Sequence, residues 1–196
     1  MRKIKIINAR DVDFLNGLRV SGVCSRQQAL HEGLLTPNRL RTFELNHVIE
    51  RCRDVDGLEI YRFTDKGKAW VTKNVPELSD RSFYRSNGYR HDMALFDRYL
   101  RLSPTERATV LCESEIRNTF QEHLENLREQ DVCRYNQLSE QLRTHEISTP
   151  DMYYVRDDGC EIYFEATTSA YSFFECSAKE AFALEMGGTP IEFIKI

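Results

Sequence analysis

Ser148-Thr149-Pro150-Asp151-Met152-Tyr153-Tyr154-Val155-Arg156-Asp157-Asp158-Gly159-Cys160-Glu161-Ile162-Tyr163-Phe164-Glu165-Ala166-Thr167 is the stretch on which the reading of this chain turns. Asp157-Asp158-Gly159 reads as a three-residue hairpin loop, with Gly159 supplying the left-handed position. Arg156 then pairs with Cys160. Counting back, Tyr154 meets Ile162, Tyr153 meets Tyr163, Met152 meets Phe164 and Asp151 meets Glu165. Strand side chains alternate between faces. One face is therefore apolar (Met152, Tyr154, Ile162, Phe164), and the other carries Asp151, Tyr153, Tyr163 and Glu165. Two carboxylates directly opposite each other are destabilising unless something neutralises them. A divalent cation would do so, because hard cations prefer carboxylate oxygens. A proton on one acid, or a lysine between the two, would serve as well.

The flanks extend the pattern. Downstream, a helix is expected over Ala178–Met186, stopped by Gly187-Gly188, and then a terminal strand over Ile191–Ile196. Upstream, Ser103-Pro104-Thr105-Glu106 is a helix start, with a serine cap, proline at the first helical position and glutamate at the third. Apolar residues from Val110 to Leu142 continue at helical spacings, with a break near Gln130-Asp131.

Helix, strand with Pro-Asp, strand with Glu, helix, strand resembles the PD-(D/E)XK nuclease fold. The resemblance implies that Asp151 and Glu165 are metal-binding acids for Mg²⁺, helped by Glu115 or its neighbour Glu113. The place of the family's lysine holds Thr167, and Lys179 on the following helix is the nearby substitute. In an active member the ion would polarise the scissile phosphate and lower the pKa of an attacking water. Lys179 would stabilise the developing charge. With Thr167 in the lysine's place, an inactive scaffold is the favoured reading, and an active metal-dependent DNA endonuclease is the alternative.

The other end of the chain reads differently. Val12, Leu15, Leu18 and Val20 give Ala9–Gly22 a near-helical pattern, followed by a turn at Ser21-Gly22. Ser25 is placed to cap a helix over Arg26–Gly33. Thr36 and Pro37 open a third helix, running to about His47. Strands over Val48–Arg53 and Leu58–Thr64 flank the turn Asp54-Val55-Asp56-Gly57, and an apolar patch, Ala69-Trp70-Val71, comes after. Three short helices and a hairpin form the winged helix-turn-helix order. Ile60-Tyr61-Arg62-Phe63-Thr64-Asp65-Lys66-Gly67-Lys68 is similar to the run with which many winged-helix repressors leave the wing. The resemblance implies a recognition helix in the major groove presenting Asn38, Arg39, Arg41 and Thr42 to bases. Arg51, Arg53, Arg62, Lys66 and Lys68 would then contact phosphates. The alternative is a winged helix used for protein contacts.

Charge divides the chain in the same way. Residues 1–90 hold 17 Lys+Arg against 11 Asp+Glu, and residues 91–196 hold 10 against 20. A basic half suits polyanions and an acidic half does not. The six cysteines, Cys24, Cys52, Cys112, Cys133, Cys160 and Cys176, show neither C-x-x-C nor zinc-ligand spacing. They read as thiols of a reduced, cytoplasmic protein. Met-Arg-Lys-Ile-Lys-Ile-Ile at the start does not read as a signal peptide, and no apolar run approaches the roughly 20 residues of a membrane span. His91-Asp92 invites comparison with HD phosphohydrolases, but His123 and His145 lack suitable neighbours, and a histidine at a domain junction is the preferred reading.

The expected fold class is thus α+β. A winged-helix DNA-binding domain occupies 1–75, a polar connector with Phe83, Tyr84 and Tyr89 packed on a domain surface spans 76–102, and a nuclease-like α/β domain with a small mixed sheet and a long helix covers 103–196. As a whole the chain resembles the replication-relaxation proteins of plasmids and other mobile genetic elements, on Arg90-His91-Asp92, the Glu113/Glu115 helix and the Pro-Asp…Glu spacing. That resemblance implies double-stranded DNA as partner and a role in DNA processing or regulation. A homodimer, or a host or element protein partner, is compatible with it. A mobile-element inhibitor acting on a host protein–nucleic acid complex through the acidic surface is a further alternative.

Overall fold

The computed structural model describes residues 4–54, 56–85 and 88–196. The protein is α+β, with two small sheets, and divides into two compact units, Met1–Leu102 and Ser103–Ile196. Val55 of the expected turn, Ser86 and Asn87 of the expected connector, and the first three residues lie outside the described residues.

The first unit opens with α1 (Ala9–Ser21), started by an Asn8–Asp11 capping box. A short strand β1 (Val23–Ser25) follows where only a turn was expected. Ser25 then caps α2 (Arg26–Ala29), the Ser25 hydroxyl accepting from the Gln28 amide. A 3₁₀ turn over His31–Gly33 takes the place of the helix's expected end. Thr36 and Pro37 start α3 (Pro37–Leu45). The hairpin β2 (Ile49–Arg53) and β3 (Glu59–Phe63) closes at Gly57, whose φ is +80°. The sheet order is β1-β3-β2, all antiparallel. Phe14, Leu18, Leu40, Phe43, Tyr61 and Val71 lie at its core.

Two helices here depart from the expectation. The patch around Trp70 belongs to α4 (Asp65–Asn74), held at its start by Thr64, whose Oγ1 accepts from the Gly67 amide at 2.8 Å. The segment 76–102, expected as a connector, contains α5 (Tyr89–Arg101) and belongs to the first unit. Leu95, Phe96 and Tyr99 on α5 are buried, and Tyr99 donates to Asp13 of α1 at 2.7 Å. The expected packing of the segment is present, with Tyr84 buried and Phe83 and Tyr89 half-buried; what was not expected is a helix, whose apolar face must be buried. Asp92 and Asp97 balance Arg98 and Arg101, so moving the boundary to Leu102 leaves the charge contrast intact.

The second unit begins with α6 (Pro104–Thr109), under the expected Ser103–Glu106 capping box. The helix ends early. A two-residue strand β4 (Leu111–Cys112) interrupts what the apolar spacing suggested was continuous helix. Next come α7 (Glu113–Gln130) and α8 (Val132–Arg143), broken at Asp131. The hairpin β5 (Met152–Val155) and β6 (Glu161–Thr167) has the register read from the loop, with Met152 opposite Phe164 and Gly159 at φ +83°. After it, α9 (Phe173–Glu185) leads to β7 (Ile191–Lys195), which pairs parallel to β6. The mixed sheet runs β4-β5-β6-β7. Tyr163 packs with Ile116, Phe120, Leu138 and Phe182 against the helices. Met152, Tyr154, Ile162 and Phe164 of the opposite face are also buried. Among the described residues, no helix is long and apolar enough to cross a membrane.

Candidate functional site

The hairpin's backbone pairing ends at Met152 and Phe164, and one residue further its two acids take over. The Asp151 amide donates to Glu165 Oε2 at 3.0 Å, and the Ala166 amide donates to Asp151 Oδ2 at 3.0 Å. Each carboxylate therefore accepts from the backbone of the opposite strand and pins the open end of the hairpin. Both acids are buried, Glu165 fully.

The helix after β6 brings a cation to them. Its start is set by a Ser172–Glu175 capping box, and Ala178, Phe182 and Ala183 turn its buried face to the sheet. Lys179 sits beside that face. Its Nζ lies 2.9 Å from Glu165 Oε1 and donates to the Thr149 carbonyl at 2.6 Å. Tyr171, in the turn before the helix, donates its hydroxyl to the same Glu165 Oε1 at 2.7 Å. Burial and the neighbouring Asp151 charge push the Glu165 acid up to about 7, against the opposing pull of Lys179 and the Tyr171 hydrogen bond.

Asp151, Glu165 and Lys179 are thus brought together, whereas the glutamates of α7 are engaged elsewhere. Glu115 caps its own helix by accepting from the Cys112 amide at 2.9 Å, and Glu113 pairs with Arg117. No group of three His, Cys, Asp or Glu side chains suited to a metal converges among the described residues. Thr167 donates its hydroxyl to the Ile194 carbonyl on β7 at 3.2 Å. Two facing carboxylates are nevertheless a hard-oxygen donor set of the kind a divalent cation takes. Tyr171 was not legible as a member of this site, because an aromatic in a Ser/Thr-rich turn carries no spacing signal.

The basic candidates of the first unit separate into two groups. Arg39 is held internally: its Nε and Nη2 donate to Asp11 Oδ1 at 2.8 Å and Oδ2 at 2.6 Å, and its guanidinium lies over the Phe43 ring. Arg51 pairs with Glu59 and Glu44, and Arg62 with Glu50. The Thr42 hydroxyl turns back onto the Asn38 carbonyl, and Lys68 lies over the Phe83 ring. Asn38, Arg41, Arg53 and Lys66 are exposed. Arg41, Arg53 and Lys66 form no ion pair among the described residues. His91 sits within α5, with Nδ1 3.4 Å from the Tyr84 hydroxyl and 3.3 Å from Asp92. His123 pairs with Glu185 at 3.0 Å.

No protein-family model, curated protein or solved structure matches this chain.

Proposed function

We propose that this chain is a cytoplasmic DNA-binding protein of a plasmid, phage or related mobile element, and that it assists DNA processing or regulates the element. On this reading the first unit is a winged helix-turn-helix. The order of α1, β1, α2, α3 and the β2–β3 hairpin supports it, as does the net positive charge of residues 1–102. Arg41 and Asn38 on α3 would face bases, while Arg53 and Lys66 would meet phosphates. Double-stranded DNA is the partner proposed.

The second unit is proposed to be a PD-(D/E)XK-like domain whose two facing acids form the candidate site. The observation that carries this is Lys179, which reaches Glu165 beside Asp151 from the helix after the hairpin. Asp151 and Glu165 would hold Mg²⁺ when it is bound, and the ion would supply polarisation of a phosphate. Lys179 orients Glu165 and holds positive charge next to it. The buried, internally satisfied acids favour a scaffold of low or no cleavage activity.

The same lysine favours a second reading, an active metal-dependent endonuclease, since it stands where a developing negative charge would need it. A gel shift with cleavage readout on supercoiled plasmid, with and without Mg²⁺ or Mn²⁺, tests both. The first reading expects a salt-sensitive shift without nicking. Nicking that needs metal and is lost in Asp151→Ala and Glu165→Ala establishes the second. Absence of duplex binding at low salt overturns the DNA-binding reading.

A further inference from the structure

Three cations from three parts of the chain line one groove of the first unit: Arg62 on β3, Lys68 on α4 and Arg85 in the segment before α5. The groove holds about 640 Å³, within the range of sites that take a small ligand. Two acids, Glu50 and Asp65, line it as well. Glu50 is spent on Arg62, 2.7 Å away. Asp65 is exposed in the first turn of α4, where the helix dipole favours an acid. Lys68 and Arg85 form no ion pair among the described residues. The wall that carries Arg85 is held from inside. Arg19 of α1 is fully buried, and its Nη1 donates to the Ser82 carbonyl at 2.8 Å. The Tyr84 amide donates back to the Arg19 carbonyl at 2.9 Å. Between them Phe83 packs edge-on against Phe63, with ring centroids 5.3 Å apart. Half-buried Lys68 places its Nζ 6.0 Å from the Phe83 centroid.

We infer that this groove binds a phosphate group, with Lys68 and Arg85 as its direct partners and the Arg62–Glu50 pair as a charge-balanced wall. A half-buried ammonium has given up part of its hydration, and an anion in the groove restores what was lost. Phosphate oxygens spread tetrahedrally, so donors arriving from α4 and from the 82–85 segment meet one group; a carboxylate offers its two oxygens in a single plane. The phosphate is that of a duplex backbone or of a free phosphorylated small molecule, and the recognition chemistry is the same. The inference rests on the DNA-binding reading only in the first case. Arg85 carried no signal in the sequence, because it falls in the segment expected to be a connector.

The test is a titration of the full chain, without phosphate buffer, followed by amide chemical shifts, with inorganic pyrophosphate as one probe and a short mixed-sequence duplex as the other. Either probe is expected to shift Thr64, Lys68, Phe83 and Arg85. Its affinity should fall roughly tenfold in Lys68→Gln and in Arg85→Gln, and hold in Lys73→Gln, an exposed lysine of α4 outside the groove. The same spectra report whether each variant is folded. Duplex that displaces pyrophosphate identifies a backbone phosphate, and duplex that leaves it bound identifies a free one. Pyrophosphate bound in the groove without any duplex binding keeps the site and removes the DNA reading. Groove amides unmoved by both probes, or equal losses in all three variants, overturn the site. Duplex binding that is then insensitive to Lys68 and Arg85 leaves the DNA reading standing.

Discussion

Arg39 and Asp11 form a two-point ion pair, Nε to Oδ1 at 2.8 Å and Nη2 to Oδ2 at 2.6 Å, which joins the first turn of α3 to the first turn of α1. The Asp11 side chain is 1% exposed. Removing one partner of such a pair leaves a buried charge uncompensated, which costs about 3 kcal/mol. Arg39→Ala is therefore expected to lower the stability of the first unit by about that amount in a urea melt. Arg39→Lys, which keeps the charge but cannot make the fork, should recover only part of it. An unchanged melt would show that the pair is not formed in solution.

The exposed cations carry a different expectation. Arg41, Arg53 and Lys66 have no internal partner among the described residues, whereas Arg51 and Arg62 are each matched by glutamates. Alanine at any of the first three should weaken duplex binding and reduce the slope of log K against log salt by about 1. Arg62→Ala should change that slope less, because Glu50 already offsets its charge. Fluorescence anisotropy across a salt series distinguishes the two groups, and equal slopes for all four variants would argue against this surface as the DNA contact.

Gly67 records a close approach. A Cβ built there would lie 1.7 Å from the Val48 carbonyl oxygen, so α4 starts directly against the backbone entering β2. The obstacle is backbone and cannot rotate away. Gly67→Ala is expected to cost about 3 kcal/mol or more, visible as a lowered melting temperature. A variant that melts with the unaltered protein would mean that α4 docks elsewhere.

Stability should also depend on pH through Glu165. Its acid is raised from 4.5 to about 7 in the fold, first by burial and then by Asp151. The folded chain therefore holds a proton that the unfolded chain has lost between those values. The stability this proton carries is complete below pH 4.5 and is lost as pH rises through 7. Glu165→Gln cannot ionise, so the variant should gain on the unaltered protein between pH 5 and pH 8. Denaturant melts at unit pH steps that run parallel for the two proteins would falsify this assignment.

What the sequence determined by itself was local. The hairpin register follows from three residues, Asp157-Asp158-Gly159, because a left-handed glycine and strict strand alternation leave few ways to close the loop. The helix starts at Ser25, Thr36 and Ser103 were legible because a cap and its helix lie within four residues of each other. The break at Asp131 was likewise visible. The tertiary structure decided what depends on distant neighbours. The strands β1 and β4, three and two residues long, exist only through the strands they pair with. The helix α4 forms across Gly67 and β-branched residues because Thr64 caps it and Val48 receives it. Asp11 became the partner of Arg39 across 28 residues, and Tyr171 met Glu165 through a turn with no periodic pattern. Spacing along the chain encodes which residues share a face. Which face meets which is settled only when the elements pack, because burial and charge pairing act through space.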